Sequence, residues 1–137
     1  MSTIEVSPLL PEGWTRGRGY SQAIIASGTK WLTIAGQLAG HHGKLPVESN
    51  LDLGKQWGIA LQNVMDLVQA AGGSADNLVS LRVFVTSIAE FNAAAGAVGE
   101  AWGRLIGKKF PAMTLVEVSK LVDPNAKVEI EAMALLP

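Results

Sequence analysis

The segment Lys127-Val128-Glu129-Ile130-Glu131-Ala132-Met133-Ala134 constrains this chain more than any other. Apolar residues occupy every second position, the signature of a β-strand with two unlike faces. Val128, Ile130, Ala132 and Ala134 share one face. Glu129 and Glu131 share the other, roughly 6–7 Å apart along the strand. Unpaired carboxylates are costly to bury, so the acidic face calls for a partner or a cleft. An adjoining run, Pro111-Ala112-Met113-Thr114-Leu115-Val116-Glu117-Val118, reads as a second strand. Continuing the same alternation, Met113, Leu115 and Glu117 are expected beside Glu129 and Glu131 on the uncovered side.

Composition sharpens that expectation. Hydrophobic residues make up 48% of the chain, charged residues only 17%, and mean hydropathy is +0.26. Such a balance suggests apolar surface covered by another subunit. The net charge is −1 and no basic run occurs, which argues against nucleic acid as a partner. Without cysteine there is no disulfide framework, thiolate metal site or thiol nucleophile. No apolar run approaches the ~20 residues of a membrane span, and the N-terminus lacks the pattern of a secretory signal. The expected address is cytoplasmic, away from membranes. At 137 residues the chain suits a single domain, 1–137, with a core that needs no staples.

Two strands are expected over 20–26 and 31–37, joined as a β-hairpin through Ser27-Gly28-Thr29-Lys30. A short leading strand is expected at 4–7. A loop rich in Gly, His and Pro follows over 36–50. Residues 51–71 form a helix with an apolar stripe of Leu53, Trp57, Leu61, Val64 and Val68. Ser49 and Asp52 have capping-box spacing before it, and Gly72-Gly73 ends it. Residues 77–86 form a strand. Ser87 and Glu90 cap a second helix over 88–106, with Phe91, Ala95, Val98, Trp102 and Leu105 inward. Gly96, Gly99 and Gly103 weaken that helix by roughly 1 kcal/mol each relative to Ala, and close packing on the sheet is the expected reason. Strands over 113–119 and 126–136 complete a ββαβαββ order. Two helices would cover one face of a mixed sheet, an α+β two-layer arrangement.

Several motifs in this order resemble the RidA/YjgF/YER057c family of small trimeric proteins. They are Gly19-Tyr20-Ser21-Gln22-Ala23, Ala35-Gly36-Gln37, Gln56 with Asn63, Ala71-Gly72, Val83-Phe84-Val85, Phe110-Pro111-Ala112 and Val128-Glu129-Ile130-Glu131-Ala132. The resemblance covers nearly the whole chain. It implies a chorismate-mutase-like subunit, a homotrimer with pockets at subunit boundaries, and a small-molecule substrate. It also implies hydrolysis of reactive enamines and imines, such as 2-aminoacrylate, to a keto acid and ammonia without metal or cofactor. Departures from the family pattern point to a non-standard substrate. The family's Pro-Ala-Arg is Pro111-Ala112-Met113, its Ser-Gly-Gln is Ala35-Gly36-Gln37, the cysteine two residues after the arginine is Leu115, and Gly-Pro-Tyr is Arg18-Gly19-Tyr20. Losing a bidentate arginine contact to a substrate carboxylate costs roughly 1.5–3 kcal/mol. A larger enamine, of the kind aminomuconate deaminases in the family handle, is compatible with these changes.

On this resemblance Glu129 is the expected proton shuttle, with Tyr20 supporting through its hydroxyl. Crowding by Glu131 or Glu117, with partial burial, would raise the Glu129 pKa. The plainer role for Glu129 is an interface ion pair, and for Tyr20 simple packing. Arg18 is a candidate replacement for the missing cation, with Arg16, Arg82, Lys108 and Lys109 as rivals and a solvated loop charge as the simpler reading. Met113 and Leu115 are expected to line an apolar pocket, or merely to fill space. Ala35, Gln37 and Trp14 complete the expected substrate contacts. His41-His42 lacks a third ligand and makes a poor metal site, and Gly17-Arg18-Gly19 lacks the context of a phosphate loop. A non-catalytic trimer that binds a small molecule or a protein is the competing reading.

Overall fold

The computed structural model describes residues 5–137, so Ile4 of the leading strand lies outside the described residues. Strands β1 (Glu5–Leu9) and β2 (Ala23–Ser27) pair antiparallel as a ribbon. The main sheet contains β3 (Lys30–Gln37), β4 (Leu78–Val85), β5 (Ala112–Glu117) and β6 (Val128–Leu136) in the order β3-β6-β4-β5. β6 runs antiparallel to both neighbours, while β4 and β5 are parallel. A parallel pair needs a crossover, supplied by α2 (Ile88–Ala93) and α3 (Ala95–Leu105). Helix α1 (Leu53–Ala70) links β3 to β4, packs on β3 and β6, and lies beside α3. The result is a two-layer α+β arrangement with a mixed sheet. No described helix is long and apolar enough to cross a membrane.

The alternation in β6 sorts as expected. Val128, Ile130, Ala132 and Ala134 are buried beneath α1, with Leu81, Val83 and Val85 of β4 beside them. Full burial of each larger apolar side chain contributes about 1.5–3 kcal/mol. The α1 stripe, Leu53, Trp57, Leu61, Val64 and Val68, is buried as a set. Its N-cap is Asp52, which accepts from the Lys55 N–H (2.9 Å). Ser49 lies too early to cap it, so the helix begins at Leu53 rather than residue 51. At the other end Gly72 takes φ +87°. Gly73 N–H donates to Val68 O and Gly72 N–H to Gln69 O, both 2.9 Å, the bonding pattern of a Schellman ending.

Three expectations are corrected. β2 and β3 form no hairpin, because β2 pairs with β1 and β3 pairs with β6. Thr29 N–H donates to Leu136 O (2.9 Å), pinning the intervening turn to the end of β6 as the chain passes from ribbon to sheet. The second helix is two helices, broken at Ala94 (φ −92°, ψ 12°). The break turns Ala94 inward and leaves Ala95 exposed. Finally, Gly96, Gly99 and Gly103 are not packing glycines, since a Cβ at any of them would meet nothing within 4 Å. The close helix contact occurs at Gly54 of α1, where a Cβ would come within 2.8 Å of Ala97 Cβ.

Candidate active site

Glu129 emerges from β6 on the sheet face opposite the helices, level with Phe84 of β4. The β3–β6 pairing shifts register between Ile34 and Gln37, so Ala35 and Gly36 form a bulge. Bulges leave a residue out of the ladder and re-aim the strand. Gln37 Nε2 donates to Ala35 O (3.1 Å), bracing it. The Glu129 carboxyl group lies directly over Gly36, where an added Cβ would sit 2.5 Å from Oε1. Burial raises the Glu129 pKa above the ordinary carboxylate range, and the negative charge of Glu131 raises it further. Glu131 itself pairs with Arg82 (Nη1–Oε1 3.5 Å) in an exposed contact, a type worth about 0–1 kcal/mol.

A second cluster forms across the sheet. The register sets Met113 opposite Leu81 and Leu115 opposite Val83. Leu81 and Val83 face the helices, so Met113 and Leu115 do too. This overturns their expected place beside Glu129. The intervening strand β4 sets the phase between β5 and β6, and Ala112, Thr114 and Val116 are the β5 residues that share the open face. Glu117 follows Met113 and Leu115. Its Oε1 accepts the Ile88 N–H (2.9 Å) at the start of α2, where a carboxylate complements the helix dipole. Glu117 therefore has no part in the Glu129 shift, which comes from burial and Glu131 alone.

Met113 and Leu115 line a cavity of about 600 Å³ together with Arg18, Tyr20, Trp57 and Trp102. The loop carrying Arg18 and Tyr20 is held at the β5 edge by Ser21. Its N–H donates to Pro111 O (3.1 Å), and it forms a parallel bridge with Ala112. The Ser21 hydroxyl also donates to Phe110 O. Two motifs distant in sequence, Gly19-Tyr20-Ser21 and Phe110-Pro111-Ala112, thus adjoin. Of the cations considered, Arg18 alone lines this cavity. Arg82 is held by Glu131. Arg16, Lys108 and Lys109 border a separate space of about 410 Å³ under the ribbon, where Lys109 pairs with Asp76 (3.5 Å). Arg18 forms no ion pair among the described residues.

The named residues thus separate within one protomer: Glu129 sits over the Ala35–Gly36 bulge on the open face, Arg18, Tyr20, Met113 and Leu115 gather at the cavity on the helix side, and Gln37, level with Ile130, joins neither group. Trp14 is 60% exposed and does not line the cavity. Gln56 and Asn63 are structural staples. Gln56 Nε2 donates to Leu51 O and Asn125 O while its Oε1 accepts from Lys127 N–H. Asn63 Nδ2 donates to Gly40 O (2.6 Å) and Oδ1 accepts the His42 N–H (3.2 Å). Among the described residues no group of three His, Asp or Glu could hold a metal ion. Sequence reasoning missed Gly36 as the seat of Glu129, although its motif was legible. It also missed Gly99 and Gly103 as cavity lining, although their spacing of one helical turn was visible.

A small two-layer α+β chain, with a half-buried strand carboxylate on its bare sheet and a cavity at its edge strand, defines a distinct structural class. The chain belongs to the RidA/YjgF/UK114 family: the family profile described as endoribonuclease L-PSP matches residues 15–136. It is 31% identical over 116 residues to the fruit-fly RutC family protein UK114, covering 85% of this chain and 78% of that one. It is 36% identical over 98 residues to the Escherichia coli K12 2-iminobutanoate/2-iminopropanoate deaminase, covering 68% and 75%. Among solved structures, the Rid family protein YyfB of Yersinia pestis superposes with TM-score 0.81 at 28% identity, covering 96% of this chain and 99% of that one. The Escherichia coli YjgF gene product superposes with TM-score 0.64 at 31% identity, covering 85% and 87%. The subunit fold is the chorismate-mutase-like fold of this family.

Proposed function

We propose that this chain is a cofactor-free imine or enamine deaminase with a non-standard substrate. The observation that carries the reading is Glu129: a half-buried carboxylate, seated on a bulged glycine, with a pKa raised by burial and by Glu131. An enamine first takes a proton from solvent at carbon to become an iminium ion. Glu129 then takes a proton from water as the water oxygen bonds to the iminium carbon, giving a neutral carbinolamine. The resulting carboxylic acid returns that proton to nitrogen. The C–N bond breaks as the C=O bond forms, and the hydroxyl proton leaves with ammonia as ammonium. A carboxylate whose pKa is shifted upward, in the direction of the working pH, is the better suited to both proton transfers. The deaminases among the relatives lend support.

Glu129 and the Met113 cavity lie on opposite faces of one sheet, so a site that uses both needs two copies of the chain. A homotrimer with its sites at the subunit boundaries meets that need, and the open face bearing Phe84, Thr114 and Val116 offers the surface for it. Ammonia release from imines generated by an amino-acid oxidase tests the reading. Glu129→Ala should slow release by about 10²–10⁴-fold, the usual worth of a positioned acid–base group. A Glu129→Ala protein as fast as wild type would overturn it.

The apolar wall around Met113 favours one further reading, a non-catalytic trimer that binds a small molecule. Ligand binding without acceleration of any imine over buffer would favour that alternative.

A further inference from the structure

We propose that the cavity beside Met113 receives an aromatic or similarly bulky apolar substituent of the substrate, with Arg18 at its edge holding the substrate carboxylate. The inference rests on the deaminase reading for its chemistry and on the cavity for its specificity. Gly99 and Gly103 stand one turn apart on α3 and line this space. A Cβ on either would meet nothing within 4 Å, so neither glycine is required by close packing. Both have φ outside the left-handed region, so neither is required by the backbone. Glycine weakens a helix interior. What these two provide is room: larger residues there would project into the space that Met113 and Leu115 border from the sheet.

Much of the remaining lining is aromatic, with Val98 and one polar side chain, Asn92, among it. Trp57 meets Phe91 edge-on, with ring centroids 5.6 Å apart at 66°. Trp102 and Phe110 stack at 6.1 Å and 5°. Both pairs border the cavity. Aromatic walls favour offset or edge-on packing of another ring. At about 600 Å³ the space falls within the usual range for small-molecule pockets, and an imino acid with a methyl side chain would leave most of it empty. Met113 keeps the sheet side of the cavity uncharged, so an apolar group seated there desolvates no ion. Arg18, exposed and outside any ion pair among the described residues, is the cavity-lining cation available to a carboxylate.

The test compares phenylpyruvate with pyruvate as unreactive product probes, by calorimetry and by emission of the cavity tryptophans. Phenylpyruvate should bind at least tenfold tighter. Gly103→Leu should abolish that preference while its thermal midpoint does not fall, which separates a filled cavity from a misfolded chain. Arg18→Ala should weaken phenylpyruvate about tenfold or more and leave 3-phenylpropanol, which has no carboxylate, unchanged. Equal affinity for the two keto acids, or a preference that survives Gly103→Leu, overturns the proposal. An effect of Arg18→Ala on 3-phenylpropanol as large as on phenylpyruvate overturns the role of Arg18. If phenylpyruvate is preferred but Glu129→Gln releases ammonia as fast as wild type, the deaminase reading fails and the cavity assignment stands.

Discussion

Glu129 and Gly36 form one structural unit: the carboxyl group of the first rests on the bare Cα of the second, and a methyl there would approach Oε1 to 2.5 Å. The bulge at Ala35–Gly36 brings β3 close enough to bury that acid in part, and the same closeness raises its pKa. Position and burial of Glu129, and the larger part of its raised proton affinity, therefore share one cause.

Gly36→Ala should push the carboxyl group from its seat. Overpacking of this kind costs typically about 1–3 kcal/mol, visible as a lower thermal midpoint. Imine hydrolysis should fall more than tenfold even at temperatures where the variant is fully folded. A variant with wild-type rates would show that the seating of Glu129 is irrelevant to catalysis.

Glu129→Gln should change how stability depends on pH. The folded state holds the Glu129 proton more tightly than the unfolded chain does, because its pKa is raised. Stability from this group is therefore fully present below the unfolded carboxylate pKa and is lost as pH rises through the raised folded value. Glutamine cannot ionise. The variant should gain in thermal midpoint relative to wild type at neutral pH, and the difference should shrink or reverse as the medium is acidified. Scanning calorimetry between mildly acidic and neutral pH measures it, and a constant difference would argue against the shift.

Glu131→Gln removes the negative charge that adds to the Glu129 shift. The Glu129 pKa should fall, so the acidic limb of kcat/KM for imine hydrolysis should move to lower pH. The move should be modest, because burial is the larger cause. Arg82, relieved of its partner, should cost the fold no more than about 1 kcal/mol, since the lost ion pair is exposed. An unmoved limb, or one moved upward, would refute the coupling.

Local pattern made the strand alternation, the α1 stripe and the Ser87 cap legible, because each depends on neighbours within one turn or one pleat; the α1 cap is Asp52 and not the expected Ser49. Glu129 stood out for the same reason, as an acid on a strand whose other face is apolar. Phase between strands is different in kind. Whether Met113 shares a face with Glu129 depends on β4, which lies between the two strands and pairs with both, so nothing local to either strand records it. The hairpin failed similarly: Ser27-Gly28-Thr29 has turn chemistry, yet its backbone bond goes to Leu136 at the far end of the chain. Gly99 and Gly103 were visible as glycines, but only the three-dimensional arrangement distinguishes packing against a wall from opening a cavity.

Gln56 tests how the site is held from behind. It is fully buried. Its amide donates to Leu51 O (3.2 Å) and Asn125 O (2.9 Å), and its carbonyl accepts the Lys127 N–H (2.8 Å). It thus ties the start of α1 to the chain entering β6, just before Glu129. Gln56→Ala would strand buried backbone groups and leave a void, a combined cost on the order of 3–5 kcal/mol. Gln56→Glu keeps an acceptor for Lys127 but loses the amide donors and buries a charge, so its deficit should ease at acidic pH as the acid takes up a proton and regains one donor. Chemical denaturation of both variants across pH decides the matter. A loss below about 1 kcal/mol for Gln56→Ala, or a Gln56→Glu deficit that does not ease on acidification, would show that this residue does not anchor the strand that carries the acid.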